Sequence, residues 1–434
     1  MRSAASRSRA DATRERAALV GLLSGSRRQF DPEHSLDELA GLADAAGADV
    51  ILRVLQERSK PDPATFLGSG KIASLGAACA EARVDVVIFD NELSPAQLRN
   101  IEEAIEVKVL DRTQVILDIF AKRANTREGK LQVELAQLKY LMPRLVGHGT
   151  ALSRLGGGIG TRGPGETKLE TDRRRIRHRI SILSDEIDTV RRRRSQLRER
   201  RQKAAVPTVA LVGYTNAGKT TLFNALTGDE AVASNALFVT LDPLVRKVKL
   251  PDRRELLISD TVGFIERLPH SLVAAFRATL EEVSAADLLL HVIDASNPER
   301  QRHMEAVRTV LTEVGAEQVP SLEVFNKCDR LSPDERARIA ALHPGALCVS
   351  ALKRTGRDEL IAAVEGRLAL DTMRVELQFD SDDDGDRARI AQVYRVGRIL
   401  SHVASDGRVS IEAEIPRRLL SRVQPAARRE DTRT

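Results

Sequence analysis

The sequence predicts a multidomain α/β protein in which a phosphate-loop domain accompanies an amino-terminal α/β domain, a helical hairpin and a small carboxy-terminal α/β domain. Two observations predict this class. Short apolar runs alternate with helical periodicity, which is typical of strands and helices in parallel sheets. A glycine-rich sequence of the form G-x-x-x-x-G-K-[ST] also directly follows one of these runs. With 434 residues, of which 42% are hydrophobic, the chain can build roughly two to four domains with their own cores.

The amino-terminal part divides near residue 15. Residues 1–15 are rich in Ala, Ser and Arg, and we expect a disordered arm there. An organelle transit peptide is the less favoured alternative, because the stretch is short and contains acidic residues. Residues 16–125 are the predicted amino-terminal α/β domain, with strands expected at 18–23, 50–55 and 84–89.

A second possible phosphate loop in this domain is Gly68–Lys71. Thr65 stands where the first glycine of the pattern is needed, and Ile72 replaces the Ser or Thr that should follow the lysine. We therefore predict a tight turn before a helix, and no catalytic nucleotide site in this domain.

Residues 126–205 predict a helical hairpin, because Leu and Ile recur at spacings of three and four on both sides of a glycine-rich connection. The connection, from about 148 to 165, contains G-x-G-x-x-G. No strand precedes it, so a loop at the hairpin tip is favoured over a dinucleotide site.

The second helix of the hairpin is basic. Its arginines either contact RNA phosphates or pair with acidic neighbours on a solvated helix. We favour RNA contact because the arginines outnumber those acids. They are Arg173, Arg174, Arg175, Arg177, Arg179, Arg191 to Arg194, Arg198, Arg200 and Arg201.

The phosphate loop, Gly213–Thr220, lies in the next predicted domain, residues 206–368, and follows the apolar run 209–212. Its glycines let backbone N–H groups close around a β-phosphate, and Lys219 neutralises phosphate oxygens. The Thr220 hydroxyl is expected to ligate Mg²⁺. The predicted nucleotide and cofactor contacts in this segment are Gly213, Asn216, Ala217, Gly218, Lys219, Thr220 and Thr221.

Two further elements are expected to sense the γ-phosphate. Asp260–Gly263 ends another apolar strand, so Asp260 can hold Mg²⁺ through water while the Gly263 N–H meets the phosphate. Thr240 is assigned to Mg²⁺ coordination that requires the γ-phosphate, with a routine strand threonine as the alternative. Lys219, Thr240 and Gly263 are therefore the predicted catalytic residues.

Two short peptides are expected to select the base. The Asp329 carboxylate can accept hydrogen bonds from the N1 and N2 protons of guanine, a pair that adenine does not offer, while Asn326 and Lys327 brace the pocket. After Ser350, the backbone N–H of Ala351 would meet guanine O6. The order of these motifs after successive strands predicts a protein that binds GTP and GDP.

Phe264 follows Gly263 where Ras-like enzymes place a glutamine that orients water. A phenyl ring cannot do this, and the alternative is that Phe264 simply packs in the core. In both cases we expect slow hydrolysis until a partner or another loop completes the site. Asn216 lies where potassium-stimulated GTPases, which this loop resembles, hold K⁺, so K⁺ is a second expected cofactor.

Residues 369–434 predict the small carboxy-terminal α/β domain. We expect a strand at 375–379, an acidic turn, a helix through 390–399, a strand at 409–415 and a disordered tail.

Bulk composition narrows the function classes. The net charge is +6 and only 3% of residues are aromatic, which disfavours an RNA reader that stacks bases on aromatic side chains. The three cysteines lack metal-ligand spacing and suggest a reducing compartment. No apolar run approaches the ~18 residues of a membrane span. We expect a cytoplasmic monomer.

Several longer stretches resemble HflX-type ribosome-associated GTPases. They lie at 61–71, 89–97, 156–166, 240–243 and 260–264. The resemblance implies a cytosolic protein that binds the large ribosomal subunit and its RNA and, with GTP, splits stalled or idle ribosomes. It also makes the glycine-rich tip a candidate probe of ribosomal RNA. A different-class alternative is a binding switch in which GTP gates large-subunit assembly without splitting.

Overall fold

The computed structural model describes residues 14–23, 32–145, 164–204, 206–229, 237–250, 255–266, 277–369, 372–405, 407–416 and 420–423. The chain forms two compact units. The amino-terminal unit contains residues 1–190, 234–242 and 267–277, and the carboxy-terminal unit contains residues 191–233, 243–266 and 278–434. This division differs from the predicted domains, because residues 234–242 join the amino-terminal unit although they lie in the predicted phosphate-loop domain.

The amino-terminal unit is built on a four-stranded parallel sheet of order β2-β1-β3-β4. Its strands are β1 (Glu15–Leu23), β2 (Ala48–Glu57), β3 (Val86–Phe89) and β4 (Lys108–Asp111). The helices between and after them are α1 (Pro32–Ala46), α2 (Ser69–Ala82), α3 (Pro95–Ile105) and α4 (Arg112–Arg123). The three predicted strands are confirmed, whereas β4 was missed because only two of its four residues, Val109 and Leu110, are apolar.

Local sequence signals explain where these helices begin. Ser94 and Gln97 form a capping box before α3, with Pro95 at its first position. Gly68 precedes α2 as its N-cap, in agreement with the turn expected at Gly68–Lys71.

The helical hairpin consists of α5 (Arg127–Arg144) and α6 (Pro164–Ala204), and residues 148–163 of its predicted tip lie outside the described residues. Leu131 and Leu135 of α5 form one buried cluster with Leu183 and Ile187 of α6. These are positions of the predicted apolar seam, so their periodicity reports packing between the two helices.

The carboxy-terminal unit contains a six-stranded sheet of order β10-β9-β8-β5-β7-β6, parallel except for β6 against β7. Its strands are β5 (Thr208–Gly213), β6 (Leu244–Lys249), β7 (Glu255–Asp260), β8 (Leu288–Asp294), β9 (Ser321–Asn326) and β10 (Leu347–Cys348). The helices are α7 (Lys219–Thr227), α8 (Arg277–Ser284), α9 (Arg300–Glu313), α10 (Pro333–Leu342) and α11 (Arg357–Ala369). Central strands β5 and β8 are buried along nearly their whole length, which explains their continuous apolar sequences.

A separate antiparallel sheet of order β11-β13-β12 follows in the same unit. Its elements are β11 (Thr372–Asp380), α12 (Asp384–Val396), β12 (Arg398–Ser405), β13 (Arg408–Pro416) and α13 (Leu420–Val423). The expected helix over 390–399 was wrong at its end, because Gly397 closes α12 and Ile399 lies in β12. This edge strand is largely exposed and lacks the alternating pattern that identifies a strand in sequence.

Candidate nucleotide site

The phosphate loop joins β5 to α7 in a shape that requires glycine. A Cβ on Gly213 would lie 2.2 Å from the carbonyl oxygen of Val292, and one on Gly218 would lie 2.3 Å from Nδ2 of Asn326. Gly218 also has a φ of 90°, a region that side chains disfavour. The loop therefore packs directly against the ends of β8 and β9.

Lys219 is buried at the start of α7, and its ammonium group is held by the loop itself. Nζ donates to the carbonyl oxygens of Gly213 at 3.1 Å and Tyr214 at 2.8 Å. Burial lowers the pKa of this lysine to about 8, while the Asp260 carboxylate acts in the opposite direction. A buried ammonium bonded mainly to neutral carbonyls can exchange these partners for phosphate oxygens at little cost.

Thr220 and Asp260 meet beside this lysine. The Thr220 hydroxyl donates to Oδ2 of Asp260 at 2.7 Å, and Asp260 is fully buried at the end of β7. A hydroxyl and a carboxylate are hard oxygen donors of the kind that Mg²⁺ prefers, so the residues present fit the expected metal.

Gly263 completes the phosphate side of the site. A Cβ at this position would lie 2.9 Å from Cα of Thr215 and 3.1 Å from Nζ of Lys219. Because its backbone approaches the phosphate loop this closely, its N–H can serve a phosphate held by Lys219.

The residues predicted to select the base are linked to the phosphate loop by hydrogen bonds. Nδ2 of Asn326 donates to the Ala217 carbonyl at 2.9 Å, and Oδ1 of Asn326 accepts from the Ala351 N–H at 2.9 Å. Nζ of Lys327 donates at 2.7 Å to the Asn216 carbonyl and to Asp294. The bracing role predicted for Asn326 and Lys327 matches these contacts. The predicted Ala351 contact with guanine O6 requires its hydrogen to be shared with Asn326, and it stays a prediction.

Asp329 is held in place by the hydroxyl group of Ser350. Ser350 Oγ donates to Oδ1 of Asp329 at 2.6 Å, and this hydrogen bond holds the pKa of the carboxyl below its usual range. Asp329 is therefore ionised at neutral pH and suited to accept two protons from one edge of a base.

Phe264 belongs to the core. Its side chain is fully buried, its N–H donates to the Gly213 carbonyl at 3.1 Å, and its carbonyl accepts from the Thr215 N–H at 2.7 Å. The packing interpretation of Phe264 is therefore correct, and the residue also ties the end of β7 to the phosphate loop.

Sequence reasoning missed the contacts of Tyr214. Its ring stacks on His303 of α9 with a centroid distance of 3.7 Å, and its hydroxyl accepts from the Glu266 N–H at 2.9 Å. Glu266 in turn pairs with Arg302. A tyrosine inside the glycine-rich loop was the available signal, but its partners are 52 and 89 positions away in the sequence.

Thr240 is the one predicted site residue that does not belong to the carboxy-terminal unit, and its predicted role stays a prediction. It lies in the segment 237–242, which belongs to the amino-terminal unit. The other predicted residues that form the phosphate, metal and base groups, together with Thr221 in α7, belong to the carboxy-terminal unit.

Several arginines of the basic helix α6 follow the alternative interpretation, in which they pair with acidic neighbours, and the predicted contact with RNA stays a prediction. The pairs are Arg175 with Asp172, Arg177 with Glu170, Arg179 with Glu134, and Arg191 with Glu281. Arg174, Arg192 and Arg193 are exposed and form no ion pair with any described part of the chain. The charge available for an external anion is therefore smaller than the sequence count suggested.

None of the helices in the described ranges has the length and apolar character to cross a membrane. The same residues hold no cluster of three or more His, Cys, Asp or Glu side chains arranged around a metal position.

Comparison with known proteins assigns three families along the chain. Residues 33–121 match the GTP-binding GTPase N-terminal family, residues 123–201 the GTP-binding GTPase middle region, and residues 208–327 the 50S ribosome-binding GTPase family. These ranges include strands β2 to β4 of the amino-terminal sheet, most of the hairpin, and the predicted site residues from Gly213 to Lys327.

Whole-chain relatives carry one name. The chain is 45% identical over 404 residues to GTPase HflX of Caldanaerobacter subterraneus subsp. tengcongensis, covering 93% of this chain and 91% of that protein. It is 44% identical over 404 residues to GTPase HflX of Escherichia coli K12, covering 93% and 94%. Among solved structures, a GTP-binding protein of Sulfolobus solfataricus in complex with GDP aligns with a TM-score of 0.41 and 25% identity, covering 82% of this chain and 98% of that chain.

Proposed function

This chain belongs to the HflX family and is a GTPase, and we propose that it uses GTP to bind the large ribosomal subunit and split stalled or idle ribosomes. The observation that carries the proposal is the match of residues 208–327, which include the phosphate loop and Asp260, to a family described as 50S ribosome-binding GTPases. We further propose that it acts in the cytoplasm as a monomer.

For the hydrolytic step we assign roles by geometry. Lys219 and the loop amides stabilise charge on the transferring phosphoryl group, and the Gly263 N–H contacts the γ-phosphate. Thr220 would ligate Mg²⁺, and Asp260 would help to hold it. When bound, Mg²⁺ neutralises charge on the phosphate oxygens. Thr240 reports whether the γ-phosphate is present.

Hydrolysis by the isolated protein is expected to be slow, because the position after Gly263 carries a buried phenyl ring that cannot orient the attacking water. Large subunits should accelerate it by ordering the segment that contains Thr240. Turnover measured with and without purified large subunits tests this, and an unchanged rate would remove the ribosome from the catalytic step.

Potassium is the second proposed cofactor. Asn216 is exposed at the phosphate loop with a φ of 58°, and its backbone carbonyl is occupied by Lys327. Its side-chain oxygen is then the group offered to a cation beside the phosphates. Faster hydrolysis in KCl than in NaCl at equal ionic strength is expected, with Asn216→Ala removing the difference. Equal rates for the wild type would contradict this role.

Three exposed arginines of α6 are the proposed contacts with ribosomal RNA. Replacing Arg174, Arg192 and Arg193 with Gln should weaken binding to large subunits and flatten its salt dependence, because each lost phosphate contact lowers the slope by about 0.7 to 0.9. The matched control replaces Arg175 and Arg177, which already pair with acids. An equal loss in the control would show that net charge, not these side chains, drives binding.

An experiment on intact ribosomes distinguishes a role in ribosome splitting from a role in subunit assembly. Sucrose gradients of 70S particles with this protein and a non-hydrolysable GTP analogue should show separated subunits. Bound protein on undivided 70S particles would instead favour the alternative, a GTP-gated assembly or RNA-binding switch. The predicted probe loop, Gly156–Gly165, lies mostly outside the described residues, and shortening it should abolish splitting while GTP affinity is retained.

A further inference from the structure

A small cavity of the carboxy-terminal unit lies beside the phosphate loop, between the end of β8 and the first turns of α9. It has a volume of about 50 Å³, which gives room for about four water molecules. Its walls include residues 214–217 of the loop, His291 of β8 and Arg300 of α9. The described residues that line it do not include Lys219 or Asp260. The cavity is therefore separate from the predicted positions of the transferring phosphate and Mg²⁺.

His291 is the buried polar group that indicates a ligand in this cavity. It is 4% exposed, lines the cavity, and its imidazole forms no hydrogen bond with any residue that the structure describes. Burial lowers the pKa of His291 to about 4, although Glu323 acts in the opposite direction, so the ring is neutral at physiological pH. A neutral imidazole offers one N–H donor and one acceptor nitrogen. Because buried polar groups are normally hydrogen-bonded, we expect these nitrogens to have a partner inside the cavity.

The charges around the cavity favour an anion. No carboxylate of the described residues lies within ion-pair distance of the Arg300 guanidinium, and Glu335 interacts with its charge from farther away. Asp294 also lines the cavity, but its charge is already compensated. Its Oδ2 accepts from Nζ of Lys327 at 2.7 Å, and its Oδ1 accepts from the N–H and the hydroxyl of Ser296 at 3.0 and 2.7 Å. Arg300 therefore gives the cavity an excess of positive charge.

The start of α9 adds to this positive potential. Arg300 is the first residue of the helix, and the N-cap residue Glu299 makes no side-chain capping hydrogen bond. Asn297 and His303, on either side of this point in the sequence, line the cavity together with Arg300. The positive end of the helix dipole therefore lies at the cavity wall, where it stabilises a negative ligand. A tetrahedral oxyanion suits both the size of the cavity and these donors.

The cavity and the predicted nucleotide site share one wall. Residues 214–217 line the cavity, and the same stretch is predicted to close around a nucleotide phosphate. The Tyr214 ring stacks on His303 with a centroid distance of 3.7 Å. The Asn216 carbonyl accepts from Nζ of Lys327 at 2.7 Å. An ion in the cavity therefore contacts groups that hold the phosphate loop in place.

We propose that this cavity is a second anion site, which takes free inorganic phosphate, the ion that GTP hydrolysis releases, and that its occupation weakens nucleotide binding at the phosphate loop. The two ligands are negative charges separated by one loop, so each lowers the affinity of the protein for the other. Product phosphate then promotes the release of GDP. The inference rests on GTP hydrolysis at the phosphate loop and does not involve the proposed action on ribosomes.

The test measures how fast GDP leaves the full chain. Fluorescent GDP is bound first and is then displaced by excess unlabelled GDP, in potassium phosphate or in potassium chloride at equal pH, ionic strength and free Mg²⁺. We expect dissociation to be about three- to tenfold faster at saturating phosphate. Phosphate that only competes for Lys219 cannot cause this, because the bound GDP must leave first. An unchanged dissociation rate would overturn the inference.

Two arginine variants locate the ion. Arg300→Gln removes the guanidinium from the cavity and should abolish the acceleration by phosphate. Arg338→Gln is the matched control, because Arg338 is exposed on α10 and is not among the described residues that line the cavity. This control should respond to phosphate as the wild type does. Equal acceleration in Arg300→Gln would show that phosphate acts elsewhere and would refute the site.

The imidazole signal of His291 in NMR spectra of the GDP-bound protein gives a readout that does not depend on activity. The signal is identified by its loss in His291→Gln, and it should shift with phosphate and not with chloride. An unmoved signal would overturn the site even if dissociation accelerates. If His291→Gln does not fold, the comparison of Arg300→Gln with Arg338→Gln decides. All these measurements are made without ribosomes, so a failure of the proposed ribosome splitting would leave their outcome unchanged.

Discussion

The amino-terminal sheet and the six-stranded sheet of the carboxy-terminal unit both place charged side chains at the carboxyl ends of parallel strands. In the amino-terminal sheet these charges neutralise one another. Arg112 is 3% exposed and donates to Oδ1 of Asp90 at 2.9 and 3.1 Å and to Glu38 at 2.9 Å, and Ser35 donates to Asp90 at 2.7 Å.

In the six-stranded sheet the corresponding cation is held differently. Lys219 donates to two carbonyl oxygens of its own loop, and glycines at 213, 218 and 263 allow close backbone approach. The guanidinium of Arg112 is already neutralised by two carboxylates and does not attract an external anion. The ammonium of Lys219 is bonded to uncharged carbonyls, so its charge remains available to a phosphate. A cation at the carboxyl end of a parallel strand is therefore not enough to make an anion-binding site. Whether it can bind an anion depends on whether its partners within the protein are charged or neutral.

The strongest test of this difference compares the loss of Lys219 in the carboxy-terminal unit with the loss of Lys71 in the amino-terminal unit, since both lysines follow a glycine. Lys219→Ala should reduce GTP hydrolysis by at least about 10³-fold, because a buried cation no longer opposes the transferring charge. The melting temperature should hold or rise, since a desolvated ammonium is removed. Lys71→Ala, in Gly68–Lys71, is the control and should leave turnover intact. Lost turnover in that variant would revive a second nucleotide site.

Removing the charge of Arg112 in the amino-terminal unit should lower the stability of that unit and leave GTP hydrolysis unaffected. Arg112→Met leaves Asp90 and Glu38 buried without their cation and should destabilise the amino-terminal unit by about 3–5 kcal/mol, as measured by denaturant unfolding. Adding Asp90→Asn and Glu38→Gln should recover part of the loss. A variant that unfolds normally but binds GDP poorly would mean that the Arg112 cluster is itself a ligand site.

Base selection gives an intermediate effect. Asp329→Asn should weaken GTP binding by about 10- to 100-fold, the value of hydrogen bonds to a charged group, and favour a xanthine nucleotide, whose carbonyl suits an amide donor. Competition between labelled GDP and unlabelled nucleotides measures this. Similar wild-type affinities for ATP and GTP would remove the assignment of Asp329.

The smallest expected effect is the change of GDP affinity with pH. Burial lowers the pKa of Lys219 to about 8 in the free protein, and bound phosphates favour its charged form. Binding therefore takes up a proton as the pH reaches and passes that value, so GDP affinity should be constant from pH 6 to 7, fall about twofold by pH 8 and fall by up to about tenfold by pH 9. Lys219→Arg keeps its charge and should bind with little change over this range. The same decline in both proteins would assign the effect to the guanine base.

The phosphate, metal and base motifs could be found in the sequence because each is local and follows an apolar strand; the roles of their residues stay predictions. Asn326 and Asp329, for example, lie at and just after the end of β9, so their place beside the phosphate loop follows from the position of that one strand. The sequence could not predict the Arg112 cluster, whose partner Glu38 is 74 positions away, or the capture of Asp242 by Thr126, 116 positions away. Such pairings are set by packing of whole elements, and an isolated Asp or Thr carries no periodic signal.

The same physical limit explains the errors. Phe264 was ambiguous because a phenyl ring after a strand is equally compatible with a core position and an altered site, and the backbone bonds that settle it are made to a distant loop. Strand β12 was hidden because an exposed edge tolerates Ser, His and Ala without alternation.

The side chain of Asn326 joins the Ala217 carbonyl to the Ala351 N–H while remaining 2% exposed. Two loops from different strands are thereby fastened through one amide. Opening of either loop breaks a buried bond of the other, so we expect them to behave as a single cooperative unit in hydrogen exchange. Nucleotide escape would then require one larger concerted fluctuation instead of two small independent ones, which lengthens the lifetime of the bound state.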